Sequence, residues 1–239
     1  MIFLSLALPV HNEEDIIEKV LKEIIETLNK CKITYEILLI ENGSRDNSPK
    51  KVIGLSKKYK HVYSFVSPKG YGNAVLKGLK ESKGEYVCYM PSDGQIDLSV
   101  FPKLLKNLRH YDLVKVKRAT RENLARTFFS TCFDLTICIL FQAKLLDING
   151  SPRIFKRSAL KKLDLRHTDS FVDAEFTIKL SRLKWNVLEI PIKNIDRYGG
   201  KSTRNIKTYF EFIYNITKYR YSSDLKNWEN KIKIKNNLI

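Results

Sequence analysis

Short runs rich in β-branched and aromatic residues alternate with longer segments of helical periodicity over the first half of the chain. This alternation predicts βαβ units, in which parallel strands form one central sheet and helices cover both of its faces. Ser48 followed by Pro49 is typical of a helix start, with the serine as N-cap. The predicted strands are residues 2–8, 35–41, 62–66, 86–90 and 113–116, and the predicted helices are residues 14–30, 49–59, 72–82 and 98–108.

The pattern changes after about residue 118. A long apolar helix is predicted over 124–146, then a short strand over 153–156, a helix near 172–183, a strand over 187–192 and a basic C-terminal segment. The apolar helix is typical either of a buried core or of a helix that lies in the plane of a membrane surface. Without a linker between the two halves, we expect one mostly parallel α/β sheet with helices on both faces and an apolar and basic C-terminal helical elaboration.

The charge balance narrows the class of partner. Lys and Arg number 43 and Asp and Glu 26 among 239 residues, a formal net charge of +17. Such a surface attracts phosphate-bearing partners, which leaves nucleic acid, anionic lipid and nucleotide substrates open. A hydrophobic content of 43% excludes a disordered tail and a small stapled scaffold, because it fills a real core.

Cysteine usage and hydropathy indicate the compartment. The four cysteines form no CxxC pair and no ligand cluster, which favours a reducing, cytosolic environment. No basic segment precedes the first apolar run, so no signal peptide is expected. Asp134 and Lys144 interrupt the apolar region 127–148, leaving stretches shorter than the roughly 20 residues that span a bilayer. We therefore expect no membrane-spanning segment.

Polar side chains follow the first, second and fourth predicted strands, at the sheet edge where open α/β folds bind ligands. The sequence has neither GxGxxG after the first strand nor GxxxxGK[ST], so it lacks the usual phosphate-binding loops. Asp93, Gln95 and Asp97 follow the fourth strand, and oxygen ligands there can hold a divalent cation that neutralises a diphosphate. An Asp-Gly pair in a loop is also compatible with a simple turn.

Four segments in order resemble the motifs of the family 2 glycosyltransferases of GT-A fold. They are LPVHNEE at 8–14, IENGSRD at 40–46, KGYGNA at 69–74 continuing to GEY at 84–86, and MPSDGQID at 90–97. The resemblance extends to RYGGKS at 197–202 and so covers about residues 1–205. Within the family the likeness is greatest to dolichol-phosphate mannose synthases and related polyprenyl-phosphate hexosyltransferases.

The resemblance implies a donor site for a nucleotide sugar. Asp93 and Gln95 would bind Mg²⁺ or Mn²⁺ and the diphosphate. The family usually has an acidic residue at the position of Pro91. It also has two aspartates where this chain has Glu41 and Asn42, and this second departure leaves the nucleotide base, uracil or guanine, undecided. The remaining implied donor residues are Pro9, His11, Glu13, Glu41 and Asn42 around the nucleoside, Gly70 in the third loop, and Arg197, Lys201 and Ser202 in a loop that closes over the diphosphate.

The acceptor side has two interpretations. A phosphate acceptor is already anionic and needs cations to position it, a role that Arg118, Arg126 and Ser130 fit by resemblance. A hydroxyl acceptor needs a general base, for which Asp173 or Glu175, an acidic pair by resemblance, is the candidate. Each arginine also fits an ordinary surface role, and acidic residues at a helix N-terminus also favourably meet the helix dipole.

The favoured hypothesis is an inverting glycosyltransferase that moves a hexose from a UDP- or GDP-sugar to a polyprenyl or dolichyl phosphate. The alternative keeps the donor site and uses a glycan hydroxyl, in surface polysaccharide or glycoprotein glycan assembly. A nucleic-acid-binding protein lacks any supporting motif, so no nucleic acid partner is expected, and Pro91 leaves a non-catalytic relative open. We expect a catalytic domain over 1–205 and a basic, aromatic helical segment over 206–239, peripheral at the cytoplasmic face of an anionic membrane.

Overall fold

The computed structural model describes residues 1–118, 124–143, 146–192 and 206–237, with the backbone alone for 124–130, 206–213 and 235–237. One seven-stranded sheet runs through it in the order β3-β2-β1-β4-β6-β5-β7. All its strands are mutually parallel except β6, which is antiparallel to both neighbours. The strands are β1 Leu4–Val10, β2 Tyr35–Glu41, β3 Val62–Val66, β4 Tyr86–Tyr89, β5 Leu113–Arg118, β6 Arg153–Lys156 and β7 Val187–Ile192.

Helices connect the strands and cover both faces of the sheet, so the predicted α/β fold class is confirmed. Short 3₁₀ turns precede α4 and α6. Within the described ranges, no helix is both long and apolar enough to cross a bilayer. The helices are α1 Ile17–Lys30, α2 Ser48–Lys58, α3 Tyr71–Glu81, α4 Phe101–Lys106, α5 Leu124–Phe141, α6 Leu160–Leu163, α7 Val172–Arg182, α8 Ile206–Tyr221 and α9 Ser223–Asn237.

The central strand β1 shows why the sheet needs two covering layers. Every residue of β1 is buried, and side chains alternate between the two faces of a strand. Leu6 and Leu8 pack into the core that contains the apolar face of α1, whereas Ala7 packs into the core formed with α3 and α7. A strand buried on both faces cannot show a polar alternation, which explains its continuous apolar sequence.

A third core joins the C-terminal helices to the rest of the chain. Ile137 and Phe141 of α5 pack against Ile216 and Tyr219 of α8. The cluster also includes Trp228 of α9, whose indole N–H donates to the Lys162 carbonyl at 2.9 Å. The apolar helix predicted over 124–146 therefore forms, but ends at residue 141 and buries one face. The boundary predicted at residue 205 stays a prediction.

The expected N-cap of α2 differs from the structure. Asn47, not Ser48, precedes α2 as its N-cap, and Ser48 is the first helical residue. The Ser48 hydroxyl instead accepts the Glu13 backbone N–H at 2.9 Å, because the first and second loops are in contact. The one antiparallel strand, β6, agrees with the expected mostly parallel sheet, although sequence periodicity does not show which strand is reversed.

Helix α3 lies unusually close to its neighbours. A Cβ added at Gly78 would lie 2.5 Å from the Ala7 Cβ, and one added at Gly72 would lie 2.3 Å from the His167 carbonyl oxygen. The Asn73 backbone N–H donates to the Thr168 carbonyl at 3.0 Å. The loop before α7 is therefore packed backbone to backbone on the start of α3.

We predict that Gly72→Ala lowers the free energy of unfolding by about 1–3 kcal/mol, because the added methyl overpacks the contact with residues 167–169. Gly54→Ala in α2 is the matched control, since no atom lies within 4 Å of its added Cβ. The control should raise stability by about 0.5–1 kcal/mol through helix propensity. Urea unfolding measures both, and equal effects would contradict the close packing.

Candidate active site

The loops after β1 and β2 are joined by hydrogen bonds at the carboxyl edge of the sheet. The His11 Nδ1 lies 2.9 Å from the Asn42 carbonyl oxygen. The Asn12 backbone N–H donates to the Ser44 hydroxyl at 3.1 Å, and its side-chain oxygen accepts the Arg45 N–H at 2.8 Å. Asn12 has a φ of 54°, a left-handed conformation that asparagine tolerates better than most residues. These bonds fix the predicted nucleoside-side residues in one local arrangement.

Glu41 and Asn42 organise the loops as well as lining this edge. Both side chains are buried, at 5% and 6% exposure. The Glu41 carboxylate accepts the Ser44 N–H at 2.6 Å, and the Asn42 side-chain oxygen accepts the Gly70 N–H at 2.8 Å. Gly70 has a φ of 135°, which restricts this position to glycine. The pair therefore holds the second loop in its own turn and the third loop against it.

The candidate metal loop follows β4. The Ser92 hydroxyl donates to the Pro9 carbonyl at 2.7 Å and so fixes this loop to the end of β1. Asp93 is half-buried and its carboxylate accepts the Gln95 N–H at 3.2 Å, while the Gln95 side chain is exposed. Within the described ranges no group of three or more acidic, His or Cys side chains is placed to hold a metal ion.

This donor set fits a nucleotide-bound Mg²⁺ or Mn²⁺ better than a metal held by protein alone. One carboxylate and one amide oxygen are hard oxygen donors, and such ions commonly take one or two protein ligands plus substrate phosphates. Pro91 supplies no ligand at the position where the family motif carries an acid. The residues present therefore fit the ion when a diphosphate completes its coordination.

Asp173 lies at the start of α7 and is buried in an ion pair. The Arg153 guanidinium donates to its carboxylate at 2.6 Å, and the Tyr89 hydroxyl donates to the same oxygen at 3.2 Å. Arg153 and Asp173 are 1% and 6% exposed. Burial acts to lower the pKa of Arg153, but the Asp173 charge together with Tyr89 and Tyr71 raises it above its usual value, so the guanidinium stays charged.

Glu175, the other acid of this segment, is also engaged. Its carboxylate lies 2.7 Å from the Lys179 ammonium and accepts the backbone N–H groups of Arg166 and His167, each at 2.9 Å. Glu175 is 1% exposed. It therefore holds the loop that packs on α3, next to the third loop of the donor side.

Arg118 ends β5 and is tied to Asp147. Its Nε donates to one carboxylate oxygen at 2.9 Å and its Nη2 to the other at 2.6 Å. The Arg118 side chain retains 21% exposure. The carboxyl ends of β4 and β5 lie at the same edge of the sheet, so Arg118 is on the same side of the molecule as Asp93.

Comparison with known proteins identifies the family of the chain. The model of the family "Glycosyl transferase family 2" matches residues 5–164, which include all the loops described above except the one before α7. The chain belongs to this family. It is a glycosyltransferase, and the sequence-based prediction of its family is confirmed.

Relatives of this family 2 member include enzymes named for lipid phosphates. The chain is 26% identical over 219 residues to a dolichyl-phosphate beta-glucosyltransferase of Trichomonas vaginalis, covering 84% of this chain and 68% of that protein. It is 24% identical over 222 residues to an undecaprenyl-phosphate 4-deoxy-4-formamido-L-arabinose transferase of Edwardsiella ictaluri, covering 90% and 66%.

Solved structures share the fold of this family 2 chain. Glucosyl-3-phosphoglycerate synthase of Mycobacterium tuberculosis, in complex with Mn²⁺, UDP and glucosyl-3-phosphoglycerate, aligns with a TM-score of 0.68 at 18% identity, covering 91% of this chain and 79% of that one. A second complex of that enzyme contains Mg²⁺ and UDP. The GT-A fold predicted from sequence is therefore confirmed.

Some predicted residues of the family 2 site lie outside the described part of the chain. Arg197, Lys201 and Ser202 belong to the range 193–205, which is not described. Arg126 and Ser130 lie on α5, one turn apart, with only their backbone described. Their roles stay predictions.

Sequence reasoning missed the buried charges that support this site. The ionic partners of Lys115, Asp147 and Arg153 lie 20 or more positions away in sequence, and no motif links them. A charged residue before the apolar pair Ile154 and Phe155 was the available signal for Arg153. Buried charges of this kind require a partner, but the sequence does not say which residue supplies it.

We predict that Asp173→Asn lowers the free energy of unfolding by about 3–5 kcal/mol, because Arg153 then remains buried without its counter-ion. Arg153→Met should cost a similar amount. The double variant should lose about 1–3 kcal/mol less unfolding free energy than the sum of the two single losses. Urea unfolding of all four proteins measures this coupling, and strict additivity would show that the pair is not coupled.

Proposed function

We propose that this family 2 glycosyltransferase transfers a hexose, with inversion, from a UDP- or GDP-sugar to the phosphate of a polyprenyl or dolichyl lipid. The observation that carries the acceptor assignment is the engagement of both candidate bases. Asp173 is paired with Arg153, and Glu175 with Lys179, in buried ion pairs. Each carboxylate would have to leave a buried ion pair to contact an acceptor hydroxyl, whereas a phosphate oxygen attacks without a strong base. The names of the relatives point to the same acceptor class.

The donor half would bind the nucleotide at the loops after β1, β2 and β3. Pro9, His11, Glu13, Glu41 and Asn42 would surround the nucleoside, with Gly70 closing the third loop. Asp93 and Gln95 would hold Mg²⁺ or Mn²⁺, which neutralises the charge of the diphosphate leaving group when bound. We assign Arg197, Lys201 and Ser202 to a loop that covers that diphosphate.

The acceptor half would hold the lipid phosphate with cations. Arg118 presents a partly exposed guanidinium at the end of β5, at the same edge of the sheet as the end of β4, and Arg126 with Ser130 would complete the phosphate contacts from α5. Cations at this point offset the repulsion between the acceptor phosphate and the donor diphosphate. They also orient the attacking oxygen toward the anomeric carbon, which lowers the entropic part of the barrier.

An exposed apolar face of α5 supports contact with a membrane. Ile139 is 73% exposed, and Leu135 and Leu140 beside it are 40% and 38% exposed. On α8, Tyr214, Lys218 and Tyr221 recur at helical spacing on its exposed side, and Tyr221 is 78% exposed. Aliphatic, aromatic and basic residues together suit an anionic lipid surface. The segment 206–239 and α5 would therefore hold the catalytic region 1–205 at the cytoplasmic face of a membrane.

We predict a lipid-phosphate hexose when the purified protein is incubated with Mg²⁺ or Mn²⁺, a polyprenyl phosphate and a panel of UDP- and GDP-sugars. Mass spectrometry of the lipid fraction detects the product and identifies the donor. Asp93→Asn should lower the rate by at least about 100-fold, because the metal that neutralises the diphosphate loses its carboxylate ligand. Binding of a nucleotide without any lipid product would contradict the lipid acceptor and favour a glycan hydroxyl.

We predict that Ile139→Gln weakens binding to vesicles of phosphatidylglycerol and phosphatidylcholine by about tenfold, because one buried aliphatic side chain contributes about 1.5–3 kcal/mol. Ile53→Gln is the matched control, an exposed isoleucine of α2. Sedimentation with vesicles measures both variants, and vesicles of phosphatidylcholine alone test the charge requirement. Equal binding by the two variants would place the lipid contact elsewhere.

A further inference from the structure

Asp147 contacts Arg118 through three hydrogen bonds. Its carboxylate accepts the Arg118 backbone N–H at 3.0 Å in addition to the two guanidinium N–H groups. A bidentate pair fixes both the position and the plane of a guanidinium. The bonds use Nε and Nη2, so within the part of the chain that the structure describes the Nη1 edge of Arg118 has no partner.

Asp147 is itself fixed by buried groups on two strands. Its backbone N–H donates to the Glu189 carboxylate of β7 at 2.9 Å, and its carbonyl accepts the ammonium of Lys115 on β5. Lys115 and Glu189 lie 3.4 Å apart, at 2% and 13% side-chain exposure. Asp147 belongs to a connection rather than to a strand, and these contacts attach it to the sheet.

Asp147 and Lys115 both carry a charge at neutral pH. Burial acts to raise the pKa of the Asp147 carboxyl, but the hydrogen bonds and charge of Arg118 outweigh it and hold that pKa well below its usual range. Asp147 is therefore a carboxylate at neutral pH. Burial, together with the charge of Arg153, lowers the pKa of Lys115 to about 8, so Lys115 is mainly protonated at neutral pH.

We propose that Asp147 is the positioning residue that orients Arg118 toward the acceptor phosphate. This inference rests on the proposed function, because it takes the lipid phosphate as the ligand of Arg118. The bidentate pair holds one edge of the guanidinium, and the remaining Nη1 edge is directed to the anion. A guanidinium fixed in advance loses less side-chain entropy when the phosphate binds, and its donors are in place as the phosphate approaches the donor sugar.

The test compares Asp147→Asn and Asp147→Glu with Asp112→Asn. Asp112 accepts the Asn186 N–H at 2.8 Å just before the first residue of β5, so its variant changes a carboxylate at the end of that strand opposite Arg118. Steady-state kinetics with a polyprenyl phosphate give kcat/KM for the acceptor and KM for the sugar nucleotide. Calorimetry with farnesyl phosphate measures acceptor binding without turnover.

We predict that Asp147→Asn lowers kcat/KM for the acceptor about 10- to 100-fold and weakens farnesyl phosphate binding, while KM for the sugar nucleotide changes less than about twofold. Asp147→Glu should recover part of the acceptor activity, because it restores the charge at a shifted position. Asp112→Asn should leave the kinetic constants for both substrates unchanged. If Asp147→Asn does not fold, the test uses Asp147→Glu alone. This variant should show a smaller loss of kcat/KM for the acceptor and no change in KM for the sugar nucleotide.

Two outcomes would overturn the inference. An equal loss for both substrates would make Asp147 a structural residue only, and unchanged acceptor kinetics would show that Arg118 needs no orientation. Failure of the proposed function gives a different result, since the unaltered protein would then neither bind farnesyl phosphate nor form a lipid product.

Discussion

The acceptor half of this enzyme depends on one buried guanidinium. Arg153 distributes its donors over four groups: the Asp173 carboxylate, the Tyr89 hydroxyl and the carbonyls of Ile148 and Gly150. A buried charge without partners would cost several kcal/mol, so these groups must come together when the chain folds. Strand β4, the antiparallel strand β6, helix α7 and the connection before β6 are thereby fixed relative to one another. Asp147 lies in that same connection, and the position of Arg118 follows from it.

The donor half is held by a different kind of interaction. Its loops contain few buried charges and are joined by side chains that bind the backbone of the neighbouring loop. Ser92 binds the Pro9 carbonyl, and Asn42 binds the Gly70 N–H. Backbone groups at the ends of parallel strands lack ladder partners, and polar side chains satisfy them. The same residues that resemble a nucleotide site therefore also form its scaffold, so their substitution will affect binding and local structure together.

The two halves meet where α3 packs on the loop before α7. Glu175 holds the backbone of residues 166 and 167, and Gly72 lets this loop approach α3. Acids that the sequence suggests as proton acceptors thus act through ion pairs and backbone contacts. This arrangement favours an acceptor that brings its own negative charge. The exposed aliphatic face of α5 fits the same view, because a lipid phosphate must be reached at a membrane surface.

Much of the fold could be predicted because strand burial leaves a local signature. The bounds of β2, β3, β6 and β7 agree with the sequence-based prediction, since each is a compact run bounded by polar or turn residues. The loops at 8–14, 40–46 and 90–97 could also be predicted, because each one follows a predicted strand. Parallel strands end at the same edge of the sheet, so these loops were expected to lie together. The direction of β6, the Arg153 to Asp173 pair and the hold of Asp147 on Arg118 were decided by tertiary structure alone. Each joins residues separated by 20 or more positions, and the partner of a buried charge is set by packing rather than by local sequence.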